Sequence, residues 1–436
     1  MFGLFASEKS KARERAARWL ELAGTIENFR RDVMSPEHAA EFSRRRDELA
    51  ALRKNHAEPA RLDSAGEALE AILRKVGGRI YPRTSLAENV DFFLVAAIVI
   101  LGIRAYFVQN FEIPTNSMWP TYYGMTAETF PPDGAAPGLL GRIGRLAAFG
   151  ALRQEIDAPA AGEVSALVFS NGQLARTIVQ GRTWIFFPAK LAEYTFYVGD
   201  RPVALRLPVD FHGFDEVFQK TFFGSSAAYE ARLVEIRAAG TAEAAEVHLD
   251  ASVPEVYPAY KIPLGRTVAA GAPIVRFDLM TGDKVLVDRF TYNFIRPKVG
   301  SGLVFRTVHI AGIGEDSFYI KRLAGVPGDT LEIRAPVLYR NGAPIAGAEA
   351  FGLNARRAPP YGGYTQGPVP SPAYGVLGLL RPGETLTVPP RSYVGLGDNS
   401  ADSADSRYWG FVPAKDVIGR PSFIYYPFTK RWGPAR

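Results

Sequence analysis

Between Val90 and Phe111 the chain carries an apolar segment whose core, Phe92 to Ile103 (FFLVAAIVILGI), is uninterrupted by any polar side chain. Such a run limits the fold sharply, because hydrocarbon offers backbone N–H and C=O groups no partner and a single segment satisfies them all only as a helix. Asp91 and Arg104 flank the core. An arginine near a helix end extends its guanidinium to the headgroups while its stem stays in hydrocarbon. One transmembrane helix is therefore expected over residues 89–110. The uninterrupted core is shorter than the ~20 residues a span prefers, so a buried helix of a soluble fold is the competing reading. Starting near residue 90, the segment is not expected to be a cleavable signal peptide. Arg74, Lys75, Arg79 and Arg83 precede it, whereas the next basic residue after Arg104 is Arg142. That asymmetry puts the N-terminus in the cytoplasm and everything after Gln109 outside.

Ahead of the span, Trp19, Leu22, Ile26, Phe29 and Val33 alternate spacings of three and four, which makes one apolar seam along a helix. Ser35, Pro36 and Glu37 then supply an N-cap and a proline at the first helical position. A second helix carries Phe42, Leu49 and Leu52, and a third, from about Ser64 to Val76, stops at Gly77-Gly78. Residues 1–88 are expected to form a coiled-coil-like helical region, either packed on itself or used for self-association or for docking a partner.

Past the span the texture changes to short runs such as KVLVDRF, YVGL and FIYYPF, broken by Gly and Pro. These signal a mainly β fold of antiparallel strands. Between Tyr123 and Thr281 lie further strand signals, TWIFFP, TFYV, RPVALRLPV, ARLVEIRA and AEVHLDA, and one helical pattern at Leu139 to Leu152. They are enough for a separate inserted β-domain at 126–275. Its ends, DAPAAGEV near Asp157 and GRTVAAGAPIVRF near Gly265, weakly resemble the halves of a lipoyl-like barrel, without the lysine expected at the hairpin tip.

Composition removes several chemistries. The 436 residues include no cysteine, which excludes disulfides, thiolate metal sites and a cysteine nucleophile. The net charge of +6 comes from bases interspersed with acids rather than from a basic tract, so nucleic-acid binding is not expected. His38, His56, His212, His248 and His309 form neither an HExxH motif nor an obvious triad, so no metal and no cofactor is expected. Asp210 to Gly213 reads as a polar turn.

Two segments remain. In FEIPTNSMWPT, Pro114 and Pro120 bracket Ser117 and constrain its backbone. A serine is a weak nucleophile until a base takes its proton. In YIKRLAGVPGD, Lys321 sits in a strand whose alternate residues are apolar. A lysine facing an apolar wall loses hydration in its charged form, which drives its pKa down from about 10.4 and makes it a usable base. Taken singly, Ser117 also suits a turn and Lys321 a solvated strand.

Joint occurrence changes their weight. The apolar anchor, the Ser-Met segment, GDKVLVDRF at 282–290, the YIKR segment with its GVPGD turn, and GDNSADSADSRYWGFVP at 397–413 follow in that order. Together they resemble the type I signal peptidases, a Ser/Lys-dyad serine peptidase family, over residues 90–123 and 281–428. The resemblance implies an antiparallel β-sheet catalytic domain at 111–125 and 276–436. Ser117 would be its nucleophile and Lys321 its general base, with the Ser117 N–H and the Thr115 hydroxyl as the oxyanion hole. Serine is frequent in the family where this chain has Thr115. Ser403 would orient Lys321, Gly397 and Asp398 would let their loop pack beside it, and an Asp405–Arg407 ion pair would hold that loop. Phe111, Ile113, Pro114, Met118, Tyr122, Tyr319 and Ile320 would wall the substrate pockets. It further implies a single-pass protein of the bacterial cytoplasmic membrane, with its catalytic domain on the outer side. Its partners would be the lipid bilayer, preproteins cut after Ala-x-Ala, and the export machinery. Two other architectures share some of these ingredients: a self-cleaving repressor-type Ser/Lys peptidase, and a non-enzymatic periplasmic adaptor with a lipoyl-like barrel.

Overall fold

A computed structural model describes residues 8–82, 85–131, 136–183, 187–314, 316–371 and 375–435. Arg83, and Trp184 to Phe186 of the expected TWIFFP strand, lie outside the described residues. The chain divides into two compact units, Met1–Gly102 and Ile103–Arg436.

In the first unit, α1 (Glu8–Arg30), α2 (Pro36–Lys54) and α3 (Pro59–Val76) pack into a three-helix bundle. Ser35 caps α2 by accepting a hydrogen bond from His38 N at 3.3 Å, with Pro36 at the first helical position. Ala12, Ala16, Ala23 and Ile26 of α1 are buried together with Phe42, Leu49, Leu62, Leu69 and Leu73. Small side chains let the axes approach; a Cβ on Gly66 would stand 3.1 Å from the Trp19 ring. The expected seam holds only as far as Ile26. Phe29, in the last turn of α1, and Val33, in the 3₁₀ turn Arg31–Val33 that follows, are 75% and 64% exposed. Next comes α4 (Ser85–Tyr106), long and apolar enough to cross a membrane, with Phe92, Phe93, Ile98 and Leu101 exposed. It ends four residues before the expected boundary of 110, because Val108 onward pairs as a strand.

In the second unit, β1 (Val108–Glu112) is followed by a segment with its own core. That segment runs through β2 (Thr126–Thr129), α5 (Leu139–Phe149), β3 (Leu152–Asp157), β4 (Gly162–Val168), β5 (Thr177–Thr183), β6 (Phe187–Val198) and β7 (Arg201–Pro208). It continues through α6 (Phe214–Phe223), α7 (Ser226–Ala239), β8 (Glu243–His248), β9 (Val256–Val268) and β10 (Pro273–Met280). A three-stranded sheet has the order β2-β10-β3, and a six-stranded one the order β5-β6-β4-β9-β8 with β7 on β6. The two segments likened to lipoyl halves are neighbours: Gly162 pairs with Val268, and Ala158 N donates to Ala272 O at 2.8 Å.

One expectation is corrected here. ARLVEIRA is not a strand but part of α7. Ser225 caps that helix, Gly224 and Gly240 punctuate it at positive φ, and Tyr229, Leu233 and Ile236 recur at helical spacing on its buried side. The segment is therefore mixed α and β. Phe214 and Phe218 of α6 pack with those three residues against Val164, Phe196 and Phe277.

The chain then forms β11 (Lys284–Asp288), β12 (Gly302–Arg306), β13 (Phe318–Gly325), β14 (Thr330–Arg334), β15 (Val337–Arg340), β16 (Ala343–Pro344) and α8 (Glu349–Ala355). After these come β17 (Leu386–Thr387), β18 (Ser392–Leu396), α9 (Ser406–Trp409), β19 (Val412–Pro413), β20 (Val417–Tyr426) and β21 (Gly433–Pro434). The main sheet has the order β1-β11-β20-β12-β13-β18-β19 with β21 on β20, and a small sheet the order β16-β15-β14-β17. Strand twist accumulates across so wide a sheet and curls it. As a result the rings of Phe111 on β1 and Phe318 on β13 stand 5.1 Å apart, although three strands separate β1 from β13.

Leu69→Ala in the bundle core should lower its stability by about 2–5 kcal/mol. The measurement is hydrogen exchange on the full chain: faster exchange is expected across α1 to α3, with unchanged protection in the main sheet.

Candidate active site

Ser117 lies on a short 3₁₀ turn, Asn116–Met118, entered from the extended backbone of Thr115. The loop holding it is clamped from three directions. Asn116 Oδ1 accepts from Gly124 N at 2.9 Å, which closes the loop on itself. Asn399 N donates to Ser117 O at 3.1 Å, and Asn399 Nδ2 to Asn116 O at 3.1 Å. Buried Asp283 accepts from Tyr123 N and pairs with Arg431. Two glycines permit the close packing this requires: a Cβ on Gly124 would fall 2.3 Å from Thr115 C, and one on Gly282 1.8 Å from Ile113 O.

Lys321 comes from β13. Its Nζ stands 2.6 Å from Ser117 Oγ, and the two residues are only 4% and 8% exposed. Across the neighbouring strand, Gly395 leaves room for the lysine stem, since a Cβ there would be 2.9 Å from Lys321 Cβ. Burial lowers the lysine pKa to about 8; the Asp405 carboxylate opposes this shift and the Arg407 guanidinium reinforces it. At that value a useful fraction of the amine is neutral near physiological pH, so the pair can move a proton from hydroxyl to amine.

The 397–407 loop lies alongside. Arg407 Nε donates to Asp405 Oδ1 at 2.9 Å in a fully buried ion pair. Arg407 also donates to the carbonyls of Ser400 and Thr365, and Gly397 N donates to Asp405 Oδ2. A Cβ on Gly397 would stand 2.1 Å from Ser403 Oγ and 2.5 Å from Ser117 O, so this glycine is where the loop meets the serine. The hydrogen bond expected from Ser403 to Lys321 is not made: among the described residues Ser403 Oγ is buried without a partner, while Lys321 Nζ bonds Ser117 Oγ. Asp398 engages the residue next to the lysine. It is paired with Arg322 at 2.7 and 2.6 Å and accepts from Thr121 Oγ1 at 2.5 Å.

The expected pocket residues separate into two groups. Met118 and Tyr122 have no exposed surface and form a core cluster with Ile113, Val285 and Ile424, so their surfaces are spent on packing. Phe111, Tyr319 and Ile320 are half-buried and Pro114 is exposed. Thr115 is half-buried and its hydroxyl does not cap the turn that follows. Arg322, Asn399 and Thr121 were not singled out from the sequence, although Arg322 follows Lys321 directly and Asn399 completes the Gly-Asp-Asn run. No group of acidic, His or Cys side chains suited to a metal ion occurs among the described residues.

Comparison with known proteins gives this geometry a relationship. The signal peptidase, peptidase S26, family profile matches residues 275–426. A probable signal peptidase I-1 of Synechocystis sp. is 30% identical over 158 residues, covering 36% of this chain and 67% of its own. Signal peptidase IB of Staphylococcus aureus is 30% identical over 148 residues, 33% of this chain and 71% of its own. The chain belongs to the signal peptidase I (peptidase S26) family. Signal peptidase I of Leptolyngbya laminosa is 28% identical over 155 residues, and there the chain spans 64% of the relative's length. A crystal structure of a signal peptidase I from Enterococcus faecalis V583 is matched at 30% identity over 29% of this chain and 97% of its own, with a TM-score of 0.22. The family match includes Lys321 and the 397–407 loop; Ser117 precedes it, and the two-sheet segment up to residue 274 lies outside it.

Removing one member of a buried ion pair leaves an uncompensated charge, at a cost of about 3–5 kcal/mol. Asp398→Ala is expected to destabilise the second unit by that order. Replacing both partners, Arg322→Met with Asp398→Leu, should cost less, as measured by thermal unfolding of the full chain in detergent.

Proposed function

We propose that this protein is a membrane-bound serine endopeptidase that removes signal peptides from exported preproteins. The 2.6 Å approach of a buried Lys321 amine to Ser117 Oγ is the observation that carries it. Ser117 Oγ attacks the scissile carbonyl carbon as neutral Lys321 Nζ takes the hydroxyl proton. Collapse of the tetrahedral species breaks the C–N bond, and Lys321 returns the proton to the leaving amine. The same amine then deprotonates a water molecule that attacks the acyl carbon, the C–Oγ bond breaks, and the proton returns to Ser117 Oγ. The Ser117 N–H and the Thr115 hydroxyl stabilise the oxyanion, where a donor aimed at developing charge is worth about 3–4 kcal/mol.

The substrate binds as an added strand. Two strand edges support this. Among the described residues β1 pairs only with β11, and Phe318 to Lys321 pair with β12 alone before β18 joins at Arg322. Phe111, Pro114, Tyr319 and Ile320 line the peptide's path, while Ile113, Met118 and Tyr122 form the floor beneath. Small pockets built this way select the Ala-x-Ala pattern.

By this reading residues 1–88 are a cytoplasmic bundle, the helix that ends at Tyr106 is the anchor, and the chain from β1 to 125 with 276–436 is the catalytic domain, into which 126–275 is inserted. The catalytic domain faces the outer side of a bacterial cytoplasmic membrane. Membership of the signal peptidase I family favours this over the repressor-type and adaptor readings.

Ser117→Ala and Lys321→Ala should each abolish cleavage of a preprotein in detergent while leaving the thermal unfolding profile intact; full cleavage by either variant would sink the mechanism. Lys321→Arg is expected to be equally inactive, since a guanidinium stays protonated. Because the lysine must be neutral, kcat/KM should climb about tenfold per pH unit below the lysine pKa and level off above about 8. A profile flat between pH 6 and 9, roughly the window about that pKa, would contradict Lys321 as the base.

A further inference from the structure

The helix α5 is mounted with its apolar side outward. Leu139, Leu140, Ile143 and Leu146 are 71%, 85%, 55% and 43% exposed, and their spacing of one, three and three puts them on one face. The opposite face is the one that meets the protein. Arg145 Nε donates to buried Asp278 at 2.8 Å, and the same guanidinium bonds Glu128. Tyr426 Oη donates to Leu146 O at 2.8 Å and Phe428 N to Ala148 O at 2.9 Å. Gly150 then ends the helix against Thr281, where a Cβ would have only 2.5 Å. The helix is thus held by its polar side and its ends, the reverse of what water selects. Phe428, tied by its backbone to Ala148, adds a ring that is 61% exposed.

Something apolar must cover this face. Four side chains offer an area on the order of a few hundred Å², below the roughly 800 Å² each partner contributes to a stable protein interface. The outward charge is cationic: LLGRIGRLAAF contains no acid, Arg145 is engaged by Asp278 and Glu128, and Arg142, which is exposed, flanks the apolar stripe. Short apolar face, cationic flank and a chain that already carries a membrane-crossing helix in α4 agree on one occupant. We propose that α5 lies in the headgroup region of an anionic bilayer, its leucines about 5–10 Å deep. The inference rests on reading α4 as the span. It gives the segment outside the family match a second attachment to the membrane.

The absence of cysteine makes the test direct, because one introduced cysteine is the only label site. Full-length Leu140→Cys is labelled with an environment-sensitive fluorophore and reconstituted in phosphatidylcholine–phosphatidylglycerol nanodiscs containing doxyl lipids. Ala97→Cys on α4 and Glu230→Cys on α7 are treated alike. Label at 140 is expected to be quenched more by doxyl groups near the headgroup than by deep ones, with 97 quenched by deep ones and 230 by neither. Adding Arg142→Glu, or omitting phosphatidylglycerol, should weaken the quenching at 140. If 140 behaves like 230 while 97 is quenched, the α5 proposal fails and the span stands; if 97 is also unquenched, both fail. Cross-linking between chains at 140 without lipid quenching would assign the face to a second copy and equally overturn the proposal.

Discussion

An ion pair sealed from water, Arg322 with Asp398, joins three parts of the chain that lie far apart in sequence. Arg322 is the next residue after Lys321 on β13; Asp398 opens the loop that packs against Ser117; and Thr121, bonded to both, closes the turn that follows Ser117. Arg322 also donates to Gly300 O, which ties in the approach to β12. In the interior such a pair contributes less to net stability than to holding its partners in one arrangement, because desolvation offsets most of the attraction. Here that arrangement places a serine and a lysine from distant segments 2.6 Å apart.

The second buried pair, Asp405 with Arg407, acts on the same site through electrostatics as well as position. Dehydration alone would push the Lys321 amine well down. The Asp405 carboxylate counteracts this while Arg407 limits its effect, leaving a pKa of about 8. A lysine alone in the same apolar wall would lose more of its basicity, and one beside an unneutralised carboxylate would keep its proton. Close backbone contacts at Gly395 and Gly397 bring loop and lysine near enough for these charges to matter.

Much of the site was legible because its chemistry is carried by short runs of sequence. The loop from Gly397 to Arg407 reads directly, since Asp405 and Arg407 are two residues apart and pair locally. Asp398 does not read in this way, because its partners are 76 and 277 residues away and pairing over such distances has no local periodicity. Met118 and Tyr122 illustrate a related limit: an apolar side chain beside Ser117 suits a pocket wall or a core equally well, and only its burial distinguishes them. The ARLVEIRA segment carries β-branched and apolar residues that suit a strand, yet the cap at Ser225 and the glycines on either side make it a helix.

By itself the sequence determined the elements whose information is local: the apolar helix before Ser117, the caps and breaks of the bundle, the alternation along β11, β13 and β20, and the identity of a serine and a lysine in matching motifs. Tertiary structure decided what depends on summing many strand twists and distant contacts. It brought β1 against β13, buried Lys321 far enough to lower its pKa, and turned the leucines of α5 outward. The amphipathic pattern of α5 is visible in its sequence, but which side faces the protein is set by Asp278 and Tyr426, residues 133 and 280 positions from their partners.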